Sequence, residues 1–194
     1  MKIPAPEPYT YVDYQCSFKS IIHPILQLGE EVEGIELGTA TGESFFTILH
    51  NCPNVKRLYG LDEFKPYVDL LTHDGSPCHL FDEKKIDMIK MNFYHNFKYS
   101  NVGDRGVFAE ASADEALETF QDETLDFVLH DCGINYDSAK NEIESWYRVL
   151  KPGGIYAGHD WNGHFIKKAV QEFREENGIT SPMTTFDNVW MWYK

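Results

Sequence analysis

The sequence predicts an α/β fold, a doubly wound sheet, mostly parallel, with helices on both faces. Three observations carry this. Short apolar runs alternate with segments of helical periodicity along almost the whole chain, and strands separated by helices form parallel sheets. A glycine-bracketed turn, Gly38-Thr39-Ala40-Thr41-Gly42, joins the first such run to the helix after it. Polar residues end the runs, at Glu36, Asp62, Ser112, Asp131, His159 and Asp160. In an open parallel sheet those ends lie along one rim, where ligands bind.

In chain order, Ser17 to Leu28 reads as a helix. Phe18, Ile21, Ile22, Ile25 and Leu26 fall at helical spacing, Ser17 caps it, Pro24 kinks it and Gly29 ends it. Glu33 to Leu37 is the first strand. Ser44 to Leu49 continues the glycine turn as a helix whose first amides are free for a ligand. Val55 to Leu61 is the second strand. Residues 63–102 form a long connection with a short helix near Pro66–Leu71, a turn at Asp74–Pro77 and a longer helix from Asp82 to about Phe97. It carries His73, His79 and His95, and either forms a lid over a substrate or covers the sheet. Gly106 to Ala109 is the third strand, followed by a turn into a helix that ends near Phe120. Leu125 to His130 is almost wholly apolar and so buried on both faces. Tyr136 to Leu150 is an amphipathic helix with Tyr136, Ala139, Ile143, Trp146, Tyr147 and Leu150 inward. Lys151-Pro152-Gly153-Gly154 breaks it, Ile155 to Gly158 is the fifth strand, and Gly163 to Glu176 is a further helix. Met183 to Tyr193 reads as an antiparallel pair that closes the sheet edge. The sum is a Rossmann-like sheet of about seven strands with an antiparallel C-terminal strand.

At 194 residues the chain makes one domain, with residues 1–16 as an N-terminal arm. A net charge of −14 argues against nucleic acid or an anionic membrane as partner. Cys16, Cys52, Cys78 and Cys132 stand alone, without a CxxC pair, so neither a zinc knuckle nor a disulfide framework is expected. With no signal-peptide pattern and no apolar stretch of membrane-spanning length, the expected compartment is the cytoplasm.

Glu36 stands on the strand just before the glycine turn. A carboxylate there repels a pyrophosphate and suits a ligand with cations and hydroxyls. S-adenosylmethionine has a sulfonium, an ammonium and a ribose, and no phosphate. Asp62 follows Gly42 by 20 residues, the spacing at which a βαβ unit brings an acidic residue to a ribose.

From about Val32 to its end the chain resembles the class I S-adenosylmethionine-dependent methyltransferases. Glu36–Gly42 is similar to the family's ExGxxxG loop, Asp62 to the acidic residue on the ribose, and Ala111-Ser112 to the turn along the adenine. Lys151-Pro152-Gly153-Gly154 is similar to the family's turn into strand five. The resemblance implies cofactor contacts from Glu36, Gly38, Thr39, Ala40, Gly42, Asp62, Ala111, Ser112 and Asp131. Within the class the chain resembles the small O-methyltransferases of the catechol and macrolide-sugar type and a related bacterial and phage group. Asp131 and the pair His159-Asp160 match the positions that ligate a divalent metal in metal-dependent members, a donor set suited to Mg, Mn, Fe or Zn. Asp131 alternatively faces the methionine part of the cofactor. Relatives carry a Lys or His a few residues after the strand-four Asp, where this chain has Ile134. The usual base is therefore missing or replaced.

These residues imply methyl transfer from S-adenosylmethionine to a hydroxyl of a small molecule or sugar, with Asp131, His159 and Tyr136 as catalytic candidates. With Mg or Mn on Asp131, His159 and Asp160, the metal lowers the hydroxyl's pKa. Without it, His159 or Tyr136 is the base or orienter. Two alternatives stay open. A nicotinamide oxidoreductase would want GxGxxG and no Glu36. A cofactor-binding module without catalysis fits the loss of the base at Ile134. The expected partner is a small-molecule acceptor, and relatives imply a homodimer.

Overall fold

The computed structural model describes residues 18–66, 82–133 and 135–194. The expected arm, Ser17, the short helix and turn beyond Pro66, His73, His79 and Ile134 lie outside the described residues. Seven strands are present among the described residues: β1 Val32–Leu37, β2 Val55–Leu61, β3 Gly106–Ala109, β4 Leu125–His130, β5 Leu150–Gly158, β6 Thr184–Phe186 and β7 Val189–Tyr193. The α-helices among the described residues are α1 Ile22–Leu26, α2 Glu43–Asn51, α3 Glu83–Tyr99, α4 Ala113–Leu117, α5 Tyr136–Tyr147 and α6 His164–Glu176. The sheet order is β3-β2-β1-β4-β5-β7-β6. β1 to β5 pair in parallel, and β7 pairs antiparallel with both β5 and β6.

Register places the site. Ala109 is level with Leu61, Leu61 with Leu37, Leu37 with His130, and His130 with Gly158. The next residues of four strands, Asp62, Gly38, Asp131 and His159, therefore share one rim. The order reverses between β1 and β4, and the crevice of such a sheet opens there.

Apolar side chains fill both faces. Phe45 and Phe46 of α2 and Phe93 of α3 pack on one face with Phe127. Ile143 and Trp146 of α5, Val170 and Phe173 of α6, and Trp190 and Trp192 of β7 pack on the other. The described part of the long insert is α3, which starts on its Asp82 cap and sets Phe93 4.2 Å, centroid to centroid, from Phe108. It covers the sheet and also braces the glycine turn, since Asn96 Nδ2 donates to the Thr41 carbonyl at 3.0 Å. None of the described helices is long and apolar enough to cross a membrane.

Three segments differ from expectation. The first helix is a 3-10 turn, Lys19–Ile21, running into α1. Pro24 falls in the first turn of α1, where its missing N–H is no loss, and Leu26 is 38% exposed rather than inward. α5 stops at Tyr147, and Leu150 already belongs to β5. Lys151-Pro152-Gly153-Gly154 is a bulge inside that strand: Gly153 N–H donates to the Lys194 carbonyl at 2.7 Å and Lys194 N–H to that of Gly154 at 2.9 Å.

Arg105 closes the α2–β2 corner. Its guanidinium donates to the carbonyls of Leu49 (2.7 Å), Cys52 (2.6 Å) and Val55 (2.8 Å). The Leu49 carbonyl belongs to the last turn of α2, whose acceptors the helix leaves open, and the Cys52 carbonyl also accepts from Val55 N–H at 3.1 Å. Arg105→Ala is expected to lower stability by about 2–4 kcal/mol, because it removes three hydrogen bonds from a charged donor at once. The change should appear as a lower urea midpoint at an unchanged slope.

Candidate active site

β1 delivers Glu36 and the glycine turn. Gly38 has φ +85, and a Cβ on it would lie 2.2 Å from the Asp131 carbonyl oxygen. Glycine lets the ends of β1 and β4 touch. The N–H groups of Gly38 and Thr39 donate to the Leu61 carbonyl at 2.8 and 3.1 Å. Ala40 N–H donates to Asp62 Oδ2 and Phe64 N–H to Asp62 Oδ1, each at 2.8 Å. Asp62 thus latches the glycine turn to the segment after β2. Burial pushes its carboxyl up, against the pull of those two donors.

A cavity of about 490 Å³ opens at this rim. Of the expected cofactor residues, Gly38, Asp62, Ala111 and Ser112 line it. Ser112 also caps α4, exchanging hydrogen bonds with Glu115, and so fixes the turn after β3. Among the described lining residues, Lys65 is the one base against Asp62, Glu63, Asp114 and Glu142, and it pairs with Glu63 at 2.7 Å. Such a lining favours a cationic ligand and repels phosphates. Thr39 and Gly42 sit behind the turn: the Thr39 carbonyl accepts from Gly42 N–H at 2.7 Å.

Glu36 is 1% exposed, and its Oε2 has no hydrogen-bond partner among the described residues. Burial, then the charges of Asp131 and Asp62, push its carboxyl well above the usual range. A buried carboxyl oxygen without a donor is a socket for one.

The rim beyond β4 and β5 brings Asp131, His159 and Asp160 together. His159 Nδ1 lies 3.5 Å from Asp131 Oδ1 and 3.2 Å from Asp160 Oδ1. Hydrogen bonds to Asp131 and then Asp160 push the imidazole up to about 10. Asp160 is held below the usual range, chiefly by its bond to His159. Asp131 goes up instead, because burial outweighs the same pairing.

Tyr136 does not join this set. Its hydroxyl donates to Glu172 of α6, and Lys168 lies 4.2 Å over its ring. The expected inward side chain at the start of α5 is half-buried between α5 and α6, drawn there by two partners on α6. His130 Nε2 lies 2.9 Å from Glu142 Oε2, its Nδ1 is buried with no hydrogen-bond partner among the described residues, and the Cys132 thiol donates to the same Glu142 oxygen at 3.1 Å. Cys132 and Glu142 line the cavity and were not foreseen as lining residues. Asn188 was also missed. It lies 3.3 Å from Asp160. Its signal is the Asp187-Asn188 pair between two short apolar runs, a dipeptide suited to a tight hairpin turn.

A family model described as a methyltransferase domain matches residues 35–161. The chain belongs to this family and is a class I S-adenosylmethionine-dependent methyltransferase. No curated protein matches the chain. Among solved structures it is similar to the O-methyltransferase NovP, at 19% identity over 89% of this chain and 78% of that one, with a TM-score of 0.67. It is similar to an O-methyltransferase from Bacillus cereus in complex with SAH, at 14% identity, 90% and 79% coverage and a TM-score of 0.60. A precorrin-6y C5,15-methyltransferase from Geobacter metallireducens GS-15 gives 16% identity, 90% and 86% coverage and 0.61. At these identities the structural likeness shows the fold.

Two substitutions probe the cavity. Asp62→Ala is expected to weaken S-adenosylhomocysteine binding about tenfold or more, the worth of a charge-assisted bond, as read by calorimetry. Glu36→Gln should separate stability from binding. The folded-state pKa of Glu36 lies above its usual 4.5, so the wild-type protein loses stability as pH rises from there, whereas an amide does not titrate. The variant should melt higher than wild type at pH 8, show a smaller gain at pH 5, and bind S-adenosylhomocysteine more weakly.

Proposed function

We propose that this protein methylates a hydroxyl of a small-molecule acceptor, with S-adenosylmethionine in the rim cavity and Asp131, His159 and Asp160 on the acceptor side. The observation that supports this most is position. The three residues follow β4 and β5, beside the strand end that Gly38 touches. In this reading Asp62 takes the ribose, Ala111 and Ser112 line the base, and Glu36 answers the cationic end. The sulfonium and ammonium bring the positive charge that the buried carboxylates lack.

The donor set fits a divalent cation. Two carboxylates and an imidazole place their ligand atoms within 4.8 Å of one another, and Asp160 is 59% exposed, so the set is open to an acceptor. The two carboxylates already hold one positive charge between them, the His159 imidazolium. A Mg or Mn ion on Asp131, His159 and Asp160 would supply Lewis acidity that lowers the pKa of an acceptor hydroxyl. The chain's own work is alignment: the cavity fixes the methyl donor, and the rim set fixes the oxygen in line with it. Without the metal, a pKa of about 10 keeps the His159 proton in place at neutral pH, so the imidazole orients an acceptor oxygen rather than acting as an unaided base. On binding a metal His159 would give up that proton, because a ligating imidazole is neutral. An acidic chain of net charge −14 favours a small acceptor over a nucleic acid.

The test is turnover across catechols and hydroxylated sugars with added Mg or Mn, and again with a chelator. Expected are S-adenosylhomocysteine release that depends on the metal, and a loss of about 100-fold or more in kcat for Asp131→Asn. Turnover indifferent to chelation would remove the metal from this reading. Bound cofactor without turnover on any hydroxyl would favour a module that has lost catalysis.

A further inference from the structure

We infer that Asn188, at the tip of the C-terminal hairpin, is a positioning residue for the His159–Asp160 pair. The inference rests on the acceptor-side role proposed above for that pair. Asn188 Nδ2 donates to Asp160 Oδ1 at 3.3 Å and lies 3.5 Å from His159 Nε2. Its Oδ1 accepts from Asn162 N–H at 2.6 Å, and its backbone carbonyl accepts from Trp161 N–H at 2.9 Å. The Asn162 contact fixes the amide: a flip would set an NH₂ against an N–H and a carbonyl oxygen against the Asp160 carboxylate. One side chain therefore ties down the β5–α6 loop and faces the pair that the loop carries.

The loop needs such a tie. Asp160 holds φ +57, a left-handed conformation that persists in an aspartate only where its surroundings enforce it. The hairpin tip is itself firm. Asp187 and Asn188, at φ 48 and 68, form a two-residue turn between Phe186 and Val189, which pair directly. Positive φ at both positions is the primed turn that favours Asn, Asp and Gly. β7 pairs with β5 through Gly158 and Trp190, and Trp190 Nε1 donates to the His159 carbonyl at 3.1 Å. Asp187 lies 3.5 Å from Lys19 Nζ, and Phe18 beside it sets its ring edge toward His159 at 6.2 Å. The imidazole is thus boxed by Asp131, Asp160, Asn188 and Phe18. The C-terminal edge of the sheet belongs to the acceptor side of the site.

Asn188→Gly isolates the side chain, because glycine suits the positive φ of this turn. The probes are Mn²⁺ and S-adenosylhomocysteine by calorimetry, thermal melting, and the ¹⁵N shifts of the His159 ring. The variant is expected to stay folded, losing only the stability of the side-chain tie to Asn162, and to bind S-adenosylhomocysteine unchanged. Its His159 shifts should move toward those of an exposed histidine, and its Mn²⁺ affinity should fall about tenfold, the scale of one lost charge-assisted hydrogen bond. If glycine loosens the hairpin and lowers melting further, Asn188→Ser carries the same test, since serine loses the reach to Asp160 but keeps a polar group. Unchanged ring shifts in a folded variant overturn the positioning role. Ring shifts that depend on Asn188 in a protein indifferent to Mn²⁺ support the positioning role and overturn the metal reading instead.

Discussion

The site exists because two strand ends are allowed to touch. Asp131 N–H donates to the Leu37 carbonyl at 2.9 Å, and the Asp131 carbonyl occupies the space a side chain at residue 38 would need. No residue with a Cβ permits that approach without moving one strand. With glycine there, β1 and β4 run level to their last residues, and the register carries the alignment outward to β2 and β5. Glu36, Asp62 and Asp131 end up close enough for their charges to act on one another. A rim that would be scattered polar residues in a looser sheet becomes one electrostatic unit.

That unit works against the fold. Burial pushes Glu36, Asp62 and Asp131 up together, and mutual repulsion adds to the effect at Glu36. The apolar packing on both faces of the sheet holds them there. Phe45, Phe46 and Phe93 secure one side of the rim, and Trp146, Trp190 and Trp192 the other. Places where local energetics conflict with a well-made core are where function is expected. Here the conflict has one sign: burial disfavours the negative charge of three neighbouring carboxyl groups, a demand that the cationic methyl donor of the proposed reading would meet.

Much of this was legible in the sequence because it depends on local pattern. Val55–Leu61, Gly106–Ala109 and Leu125–His130 are apolar runs bounded by turn residues, and the strands have those same limits. The gathering of Asp131, His159 and Asp160 followed from the rule that parallel strands end on one rim. What escaped depends on partners far along the chain. A Pro-Gly-Gly run looks the same in a loop as in a strand bulge, and only Lys194 decides between them at Gly153. Tyr136 packs against the core as its periodicity expects, but its hydroxyl is held by Glu172 of α6 and its ring lies under Lys168, away from the Asp131 set. Asn188 reaches Asp160 through the pairing of β7 on β5, which no local signal encodes. Likewise the helical run of α3 was plain, while its role as sheet cover came from Phe93 meeting Phe108.

Asp131 joins the two halves of the site. Its backbone is pinned by the glycine turn beside the rim cavity, and its carboxylate faces His159, on the side proposed above for the acceptor. Its neighbours share that duty unequally. Asp160 is exposed and held low in pKa by His159, so it keeps its charge at the open side of the set. Asp131 is more enclosed and pushed up, so its charge is conditional on a positive neighbour. In an in-line displacement the distance from methyl to oxygen governs the rate more than any single proton transfer. In the proposed reading, a residue whose main chain belongs to the donor side and whose side chain belongs to the acceptor side sets that distance with almost no freedom left. On that reading the glycine at position 38 bears on the acceptor as well as on the cofactor, through the Asp131 carbonyl that it lets approach.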